Sequence, residues 1–273
     1  MLFFDGYGEI QKKQTSVAIL SEKMLFLQHE ISKTALIMQR FTKALAAITL
    51  IMAVFFATGC TRPDDPGSLE GSLNGHDYVD LGLPSGTLWA TCNVGSDTQE
   101  GYGDYFAWGE TEPKSTYDWG NYKWCNGDYD QLNKYCSDSD YGYNGFTDNL
   151  TILQPSDDAA TSNWGIGWCT PTETQWRELY QNTTNSWTIQ NGVNGSLFTA
   201  SNGRSLFLPA AGYHSENGLD HENSYGYYWS SLLDTSIPNA VWVFDCFSIG
   251  YGVSSGSRDH GRSVRAVCSA RQN

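Results

Sequence analysis

Four groups of residues in this 273-residue chain are of types that do chemistry. Asp259-His260 sets a carboxylate beside an imidazole, the components of acid/base work. His214, Glu216, His221 and Glu222 are ligand types that a metal accepts. Asp157-Asp158 offers oxygens of the kind calcium takes. Cys92, Cys125, Cys136, Cys169, Cys246 and Cys268 offer thiols. Spacing argues against the first three groups as reactive centres. Adjacent residues on a strand point to opposite faces, no HExxH or comparable ligand spacing occurs, and Asp157 and Asp158 stand where acids begin a helix. These groups therefore read as surface and capping residues, with no catalytic residue or metal ligand expected and calcium at most structural. The thiols lack the short paired spacing of a zinc site. Cys125 and Cys136 bracket the polar segment CNGDYDQLNKYC and are the expected local disulfide, if the chain reaches an oxidising compartment.

Export is what the N-terminal region indicates. Ala44 to Ala57 is an apolar run of 14 residues that follows Arg40 and Lys43 and ends in Ala57-Thr58-Gly59-Cys60. A basic start, a short apolar stretch and small residues describe a secretory signal, too short for a comfortable membrane span. The terminal Cys60 resembles a bacterial lipobox, which implies lipidation there. Met38 opens a signal of ordinary length, so the expected organisation is an upstream, non-native extension (1–37), a lipoprotein signal peptide (38–59), Cys60 with a flexible tether (60–73), and one domain (74–273). The tether's TRPDDPGSLEGSL is rich in Pro, Gly, Ser and acids. Its acidic residues also resemble the surface-export signal of Bacteroidetes lipoproteins, which implies a lipid-anchored protein at the outer membrane surface; a plain solvated linker reads equally well.

Charge then narrows the partners. Of 16 basic and 30 acidic side chains, six and four lie in residues 1–60, which leaves 10 and 26 and a net charge of −16. So acidic a surface repels phosphate backbones, and nucleic acid is not an expected partner. The aromatic content is that of a folded chain.

Short aromatic or β-branched runs, punctuated by Gly and Pro, read as strands: HDYVDLG, TLWATCNVG and GDYFAWGE, then SWTIQNG, GSLFTASNG, RSLFLPAAG, YGYYWSS, AVWVFD and RSVRAVCS. Two helices stand between the groups. One follows Ser156; the other follows the capping box Thr170-Pro171-Thr172-Glu173 and carries Trp176, Leu179 and Tyr180 on one face. The expected class is α+β, two helices packed on short, mostly antiparallel, twisted sheets.

Several of these segments, YVDLGLPSGTLWATCNVG (78–95), GDYFAWGET (103–111), DDAATSNWG (157–165), PTETQWREL (171–179), LPAAGY (208–213), GYYWSS (226–231) and GRSVRAVC (261–268), closely resemble the Fibrobacter succinogenes major paralogous domain of Bacteroidetes lipoproteins. The resemblance implies a C-type-lectin-like fold, related to the formylglycine-generating enzymes. The C-terminal part is also similar to the variable proteins of diversity-generating retroelements, in which adenine mutagenesis of Asn codons cannot produce Lys, Glu, Gln, Met or Trp. Those five types number 44 of 273 residues, yet Ser231 to Gly261 holds only Trp242. A Ser/Gly-rich loop would show part of that depletion anyway.

Alternation in AVWVFDCF places Trp242 and Phe244 on one face and Val243 and Asp245 on the other. Trp242, Phe244 and Val253 are then expected to anchor the segment, leaving Val243, Asp245, Ser248, Gly250, Tyr251, Gly252, Ser254, Ser255, Ser257, Asp259 and His260 to a protein or glycan partner. Tyr, Ser and Gly are the types that antibody loops use for recognition. The alternatives are an enzyme of the formylglycine-generating type, whose thiol chemistry would fall to Cys246 and Cys268, and a structural pilus or surface subunit with no variable site.

Overall fold

A computed structural model describes residues 70–269. The upstream extension, the signal peptide, Cys60 and residues 61–69 of the tether lie outside the described residues, as do 270–273.

The chain begins in a small antiparallel sheet, β1 (Glu70–Leu73), β2 (His76–Asp80) and β3 (Thr87–Ala90). β1 occupies the last four residues assigned to the tether, so folded chain starts earlier than its composition indicates. Asn74 and Gly75, at φ 52° and 86°, make the turn between β1 and β2; both residues take left-handed φ as a type I′ hairpin requires. GDYFAWGE, expected as a strand, is irregular. Its Phe106 makes a lone bridge to Arg262, and Trp108 donates Nε1 to the Ser230 carbonyl at 2.8 Å.

Two helices follow, α1 (Ala159–Trp164) and α2 (Glu173–Gln181). Asp158 caps α1, accepting from Ala160 N at 2.9 Å. The capping box of α2 is formed by Thr172 and Gln175, two residues further on than the Thr170–Glu173 spacing indicates. Pro171 stays outside the helix, where it removes no intrahelical bond.

The remaining strands are β4 (Thr183–Gln190), β5 (Val193–Ala200), β6 (Ser205–Pro209), β7 (Tyr213–Ser215), β8 (Gly218–Asp220), β9 (Tyr225–Leu233), β10 (Ala240–Phe247), β11 (Gly250–Ser257) and β12 (Val267–Ser269). They form antiparallel sheets β4-β5-β6, β7-β8 and β11-β10-β9, while β12 pairs with β3 to complete the first sheet. The class is α+β, mostly sheet, with two α-helices among the described residues.

β10 is the central strand on which the site depends. Both of its faces are covered, each by its own apolar cluster. Val241 and Val243 join Trp229, Leu233, Val264 and Trp168 on one side. Phe244 and Cys246 join Tyr228, Trp176 and Phe198 on the other, with Trp176 stacked on Phe244 at 4.5 Å and 4° between planes. Truncating a ring so enclosed costs about 3–5 kcal/mol. A third cluster gathers Tyr117, Tyr122, Leu132, Cys125 and Cys136 beneath the irregular segment 105–141. The expected Cys125–Cys136 disulfide is not formed. Both thiols are buried and free, and each donates to a nearby carbonyl, Cys125 to Trp119 O and Cys136 to Asp138 O, both at 3.1 Å.

Candidate functional site

β11 lies along β10 at the edge of its sheet, and its small side chains leave the neighbouring rings open. The register sets Asp245 opposite Gly252, Val243 opposite Ser254 and Phe247 opposite Gly250. On the other flank of β10, Asp245 faces Tyr227 and Phe247 faces Tyr225. Period-two alternation therefore puts Tyr225, Tyr227, Asp245, Phe247 and Ser254 on one face. Three Gly residues of β11, at 250, 252 and 256, share that face, and at Gly252 the space a side chain would take is open.

The rings on this face form a continuous strip. Tyr225 stacks on Phe247 at 4.9 Å and on Tyr227 at 5.7 Å with 8° between planes. Tyr227 meets Tyr213 edge-on at 5.2 Å, and Tyr213 in turn stacks on His260 at 5.1 Å and on His221 at 5.8 Å. None of these six rings is fully buried. Under the strip lies Arg262, 6 % exposed, its guanidinium 4.4 Å from the Trp229 ring centre, 5.4 Å from Tyr213 and 6.0 Å from Tyr227. Burial pulls Arg262 down to about 10, so it remains charged at neutral pH. It donates to Ser257 O at 2.8 Å.

At the Tyr213 end the strip opens into a cleft of about 560 Å³, lined by Tyr117, Asp118, Trp119, Tyr213, Ser215, Glu216, Asn217, Asp220, Asp259 and His260. Three distant stretches build it. The β7–β8 hairpin contributes Tyr213, Glu216 and Asp220, and Ser215 Oγ donates to Asp220 Oδ2 at 3.1 Å. Reciprocal bonds between His214 and Gly261, at 2.7 and 2.9 Å, tie that hairpin to the segment carrying Asp259 and His260. A Cβ at Gly261 would lie 2.6 Å from the Tyr117 ring, so only glycine allows that approach. Tyr117 is fixed by its hydroxyl, which donates to Tyr105 O at 2.5 Å.

Protonation at the site follows from burial. Desolvation, then the Arg262 charge, lowers His260, leaving it neutral at pH 7. Desolvation raises Asp245, opposed by the Ser254 hydroxyl that donates to its Oδ2 at 2.7 Å.

The expected recognition residues divide. Asp245, Gly250, Gly252 and Ser254 share the strip's face, and Asp259 and His260 line the cleft. Val243 does not belong with them: at 1 % exposure it packs in the core beside Trp229, because the face it shares with Asp245 is covered at that end of the strand. Asp259 is 4 % exposed rather than free on the surface. Tyr251, Ser255 and Ser257 fall on β11's opposite face. There Tyr251 meets Phe198 and Tyr180, both at 5.6 Å, and Ser255 donates to Asp234. Ser248 is exposed in the β10–β11 turn. Trp242 is half-buried while Phe244 is enclosed, so the anchor expected at 242 is the weaker of the two.

Tyr213, Tyr225, Tyr227, Phe247, Tyr117, Trp119 and Arg262 were not among the expected site residues. The alternation of Tyr225 and Tyr227 in YGYYWSS was a usable signal; nothing local points to Tyr117 or Trp119. Asp157 and Asp158 are taken up elsewhere, Asp157 by Lys134 and the Tyr135 hydroxyl and Asp158 by its helix and Thr170. Cys246 and Cys268 sit in different clusters, and burial pushes both thiols up to about 12, so neither is a ready nucleophile. No helix among the described residues is long and apolar enough to cross a membrane.

Comparison of the chain with models of protein families, with curated proteins and with solved structures gave no match.

Proposed function

We propose that this chain is a recognition module: a lipid-anchored lipoprotein of the outer membrane surface, with a C-type-lectin-like domain of the Fibrobacter succinogenes major paralogous type, which holds a protein or glycan ligand on the face formed by β9, β10, β11 and the β7–β8 hairpin. The observation that supports it best is the strip of six incompletely buried rings running into a cleft. Monomeric proteins normally cover such area, and rings held by stacking present binding surface with little further loss of side-chain freedom. The buried, protonated thiols weigh against the enzymatic alternative. The residue vocabulary of 231–261 supports diversification of the same face.

The test presents the purified full chain to an array of extracellular proteins and glycans, beside Tyr225→Ala/Tyr227→Ala. A ligand held by the native chain and lost by a variant that still melts cooperatively bears the proposal out. Ligands that ignore the double substitution place recognition elsewhere. A reverse-transcriptase gene nearby, with a near-copy of the gene's 3′ end differing at adenines, would establish diversification; its absence removes that element alone. Metabolic labelling with a radioactive fatty acid, abolished in Cys60→Ala, tests the anchor.

A further inference from the structure

We infer that the free edge of β11 receives an extended segment of a protein partner, which adds a strand to the sheet that carries the aromatic strip. The inference rests on this face being a recognition surface and decides between its two ligand classes in favour of protein. Backbone geometry carries it. The two-residue turn joining Phe247 to Gly250 makes those two a hydrogen-bonded pair, so Gly252, Ser254 and Gly256 bond to β10, while Tyr251, Val253, Ser255 and Ser257 turn their N–H and C=O away from it. Arg262 takes up one of these groups, the Ser257 carbonyl, at 2.8 Å. The N–H and C=O of Tyr251, Val253 and Ser255 make no outward hydrogen bond among the described residues.

The opposite edge of the same sheet is closed. Along β9, Tyr225 O accepts from Gly212 N at 2.7 Å, Trp229 N donates to Ser263 O at 3.2 Å, Ser231 N to Pro171 O at 2.8 Å and Leu233 N to Thr151 O at 2.9 Å. β11 has none of the devices that guard an open edge: its eight residues include no charge and no Pro, and its register with β10 runs without a bulge. β4 is also an outer strand, but of another sheet. Tyr251, Val253 and Ser255 recur at about 6.7 Å, and a second strand meets all three at once with its own N–H and C=O at that repeat, a match that sugar hydroxyls do not offer. Gly252, Asp245 and Tyr227 stand in one cross-strand row with open space at Gly252, so a long side chain of the guest in that row lies towards the strip. A second copy is the poorer guest. Residues 61–273 hold 10 basic and 26 acidic side chains, an excess that repels its own kind and draws a neutral or basic foreign strand.

The experiment selects random dodecapeptides displayed on phage against the immobilised full chain, then measures the enriched peptides in solution. They are expected to bind, and methylation of alternate peptide nitrogens, which removes the guest's donors and leaves the protein untouched, should weaken them at least about tenfold. Ser255→Pro removes an outward N–H without touching a bond to β10, and should weaken them about three- to tenfold. Ile189→Pro does the same on the outer edge of β4 and should change binding less than about twofold. Hydrogen exchange gives a direct reading: the amides of Tyr251, Val253 and Ser255 should exchange faster than those of Gly252 and Ser254 in the free chain, and slow in the complex. No enriched peptide, equal binding after methylation, equal effects of Ile189→Pro and Ser255→Pro, or unchanged exchange at Tyr251, Val253 and Ser255 would overturn the inference. Dimerisation of the chain abolished by Ser255→Pro would overturn it too, by seating a second copy on the edge. A ligand of the array lost in Tyr225→Ala/Tyr227→Ala but indifferent to Ser255→Pro would leave the recognition face standing and remove only its added strand.

Discussion

Asp158 shows how much one side chain holds. Its carboxylate accepts from Ala160 N at 2.9 Å, Thr170 N at 2.8 Å and Thr170 Oγ1 at 2.7 Å, joining the start of α1 to the segment before α2. Helix caps contribute about 1 kcal/mol, and a buried donor left without its acceptor costs about 1–3 kcal/mol more. Asp158→Ala should therefore lower unfolding free energy in urea by more than about 2 kcal/mol; a loss below about 0.5 kcal/mol would show that the donors find other partners. The histidines give a pH prediction. His76, His214 and His260 are all lowered from their ordinary value, each chiefly by burial. The unfolded chain therefore takes up protons near pH 6.5 that the folded chain refuses, so stability falls as pH drops through that value and levels off below the folded pKa values. Around His260 stand Arg262, Asp259, Asp220 and Glu216, and the Arg262 charge reinforces the effect of burial. Melting temperature should fall between pH 7.5 and 5.5, and fall less in His260→Gln. Asp158 and Asp245, raised by burial, act with the opposite sign and cancel in the comparison. Equal slopes in the two proteins would show that His260 titrates freely.

At the level of elements, β11 combines open and closed positions in eight residues. A Cβ built on Gly252 meets nothing within 4 Å, whereas one on Gly256 would lie 2.8 Å from both Arg262 Nη2 and Val243 Cγ2. Gly252→Ser should leave the melting temperature within about 2 °C, and Gly256→Ser should lower it by several degrees through displacement of the arginine under the strip. Thermal melts of the two decide this, and similar losses in both would mean that the whole strand is constrained. β11 was also the element hardest to read beforehand. Gly and Ser carry no apolar alternation, so its extended form follows from pairing with β10 and not from its own residues. β4, β5, β6, β9 and β10 were readable because Trp, Phe, Leu and Val recur in short runs between Asn-Gly and Gly turns. Residues 105–155 were not, since the rings at 117, 122 and 135 are buried in irregular chain held by scattered hydrogen bonds rather than by a repeating ladder. The strand half of the candidate face was visible in sequence, at Asp245 and in the small residues of β11. The cleft was not, because its walls come from three segments far apart in sequence, 117–120, 213–220 and 259–260.

Across the whole molecule, charge is the dominant unbalanced quantity. With a formal net charge of −14 over the full chain, added salt should raise the melting temperature by screening self-repulsion, most steeply below about 0.2 M. A melting temperature indifferent to salt would mean that the carboxylates are too dispersed to repel one another measurably. The order in which the parts become available matters as well. β3 lies between β2 and β12, so the first sheet lacks a strand until residue 269 exists. Arg265, fully buried, donates to Asn93 Oδ1 at 2.9 Å and to Phe207 O at 2.9 Å, adding a C-terminal link between early and middle stretches. A chain ending before residue 258 thus has its first three strands and both helices but lacks the strand that pairs with β3 and the arginine bonded to Phe207 O. Closure of the first sheet waits for the segment 258–269, since until then β3 keeps one unpaired edge.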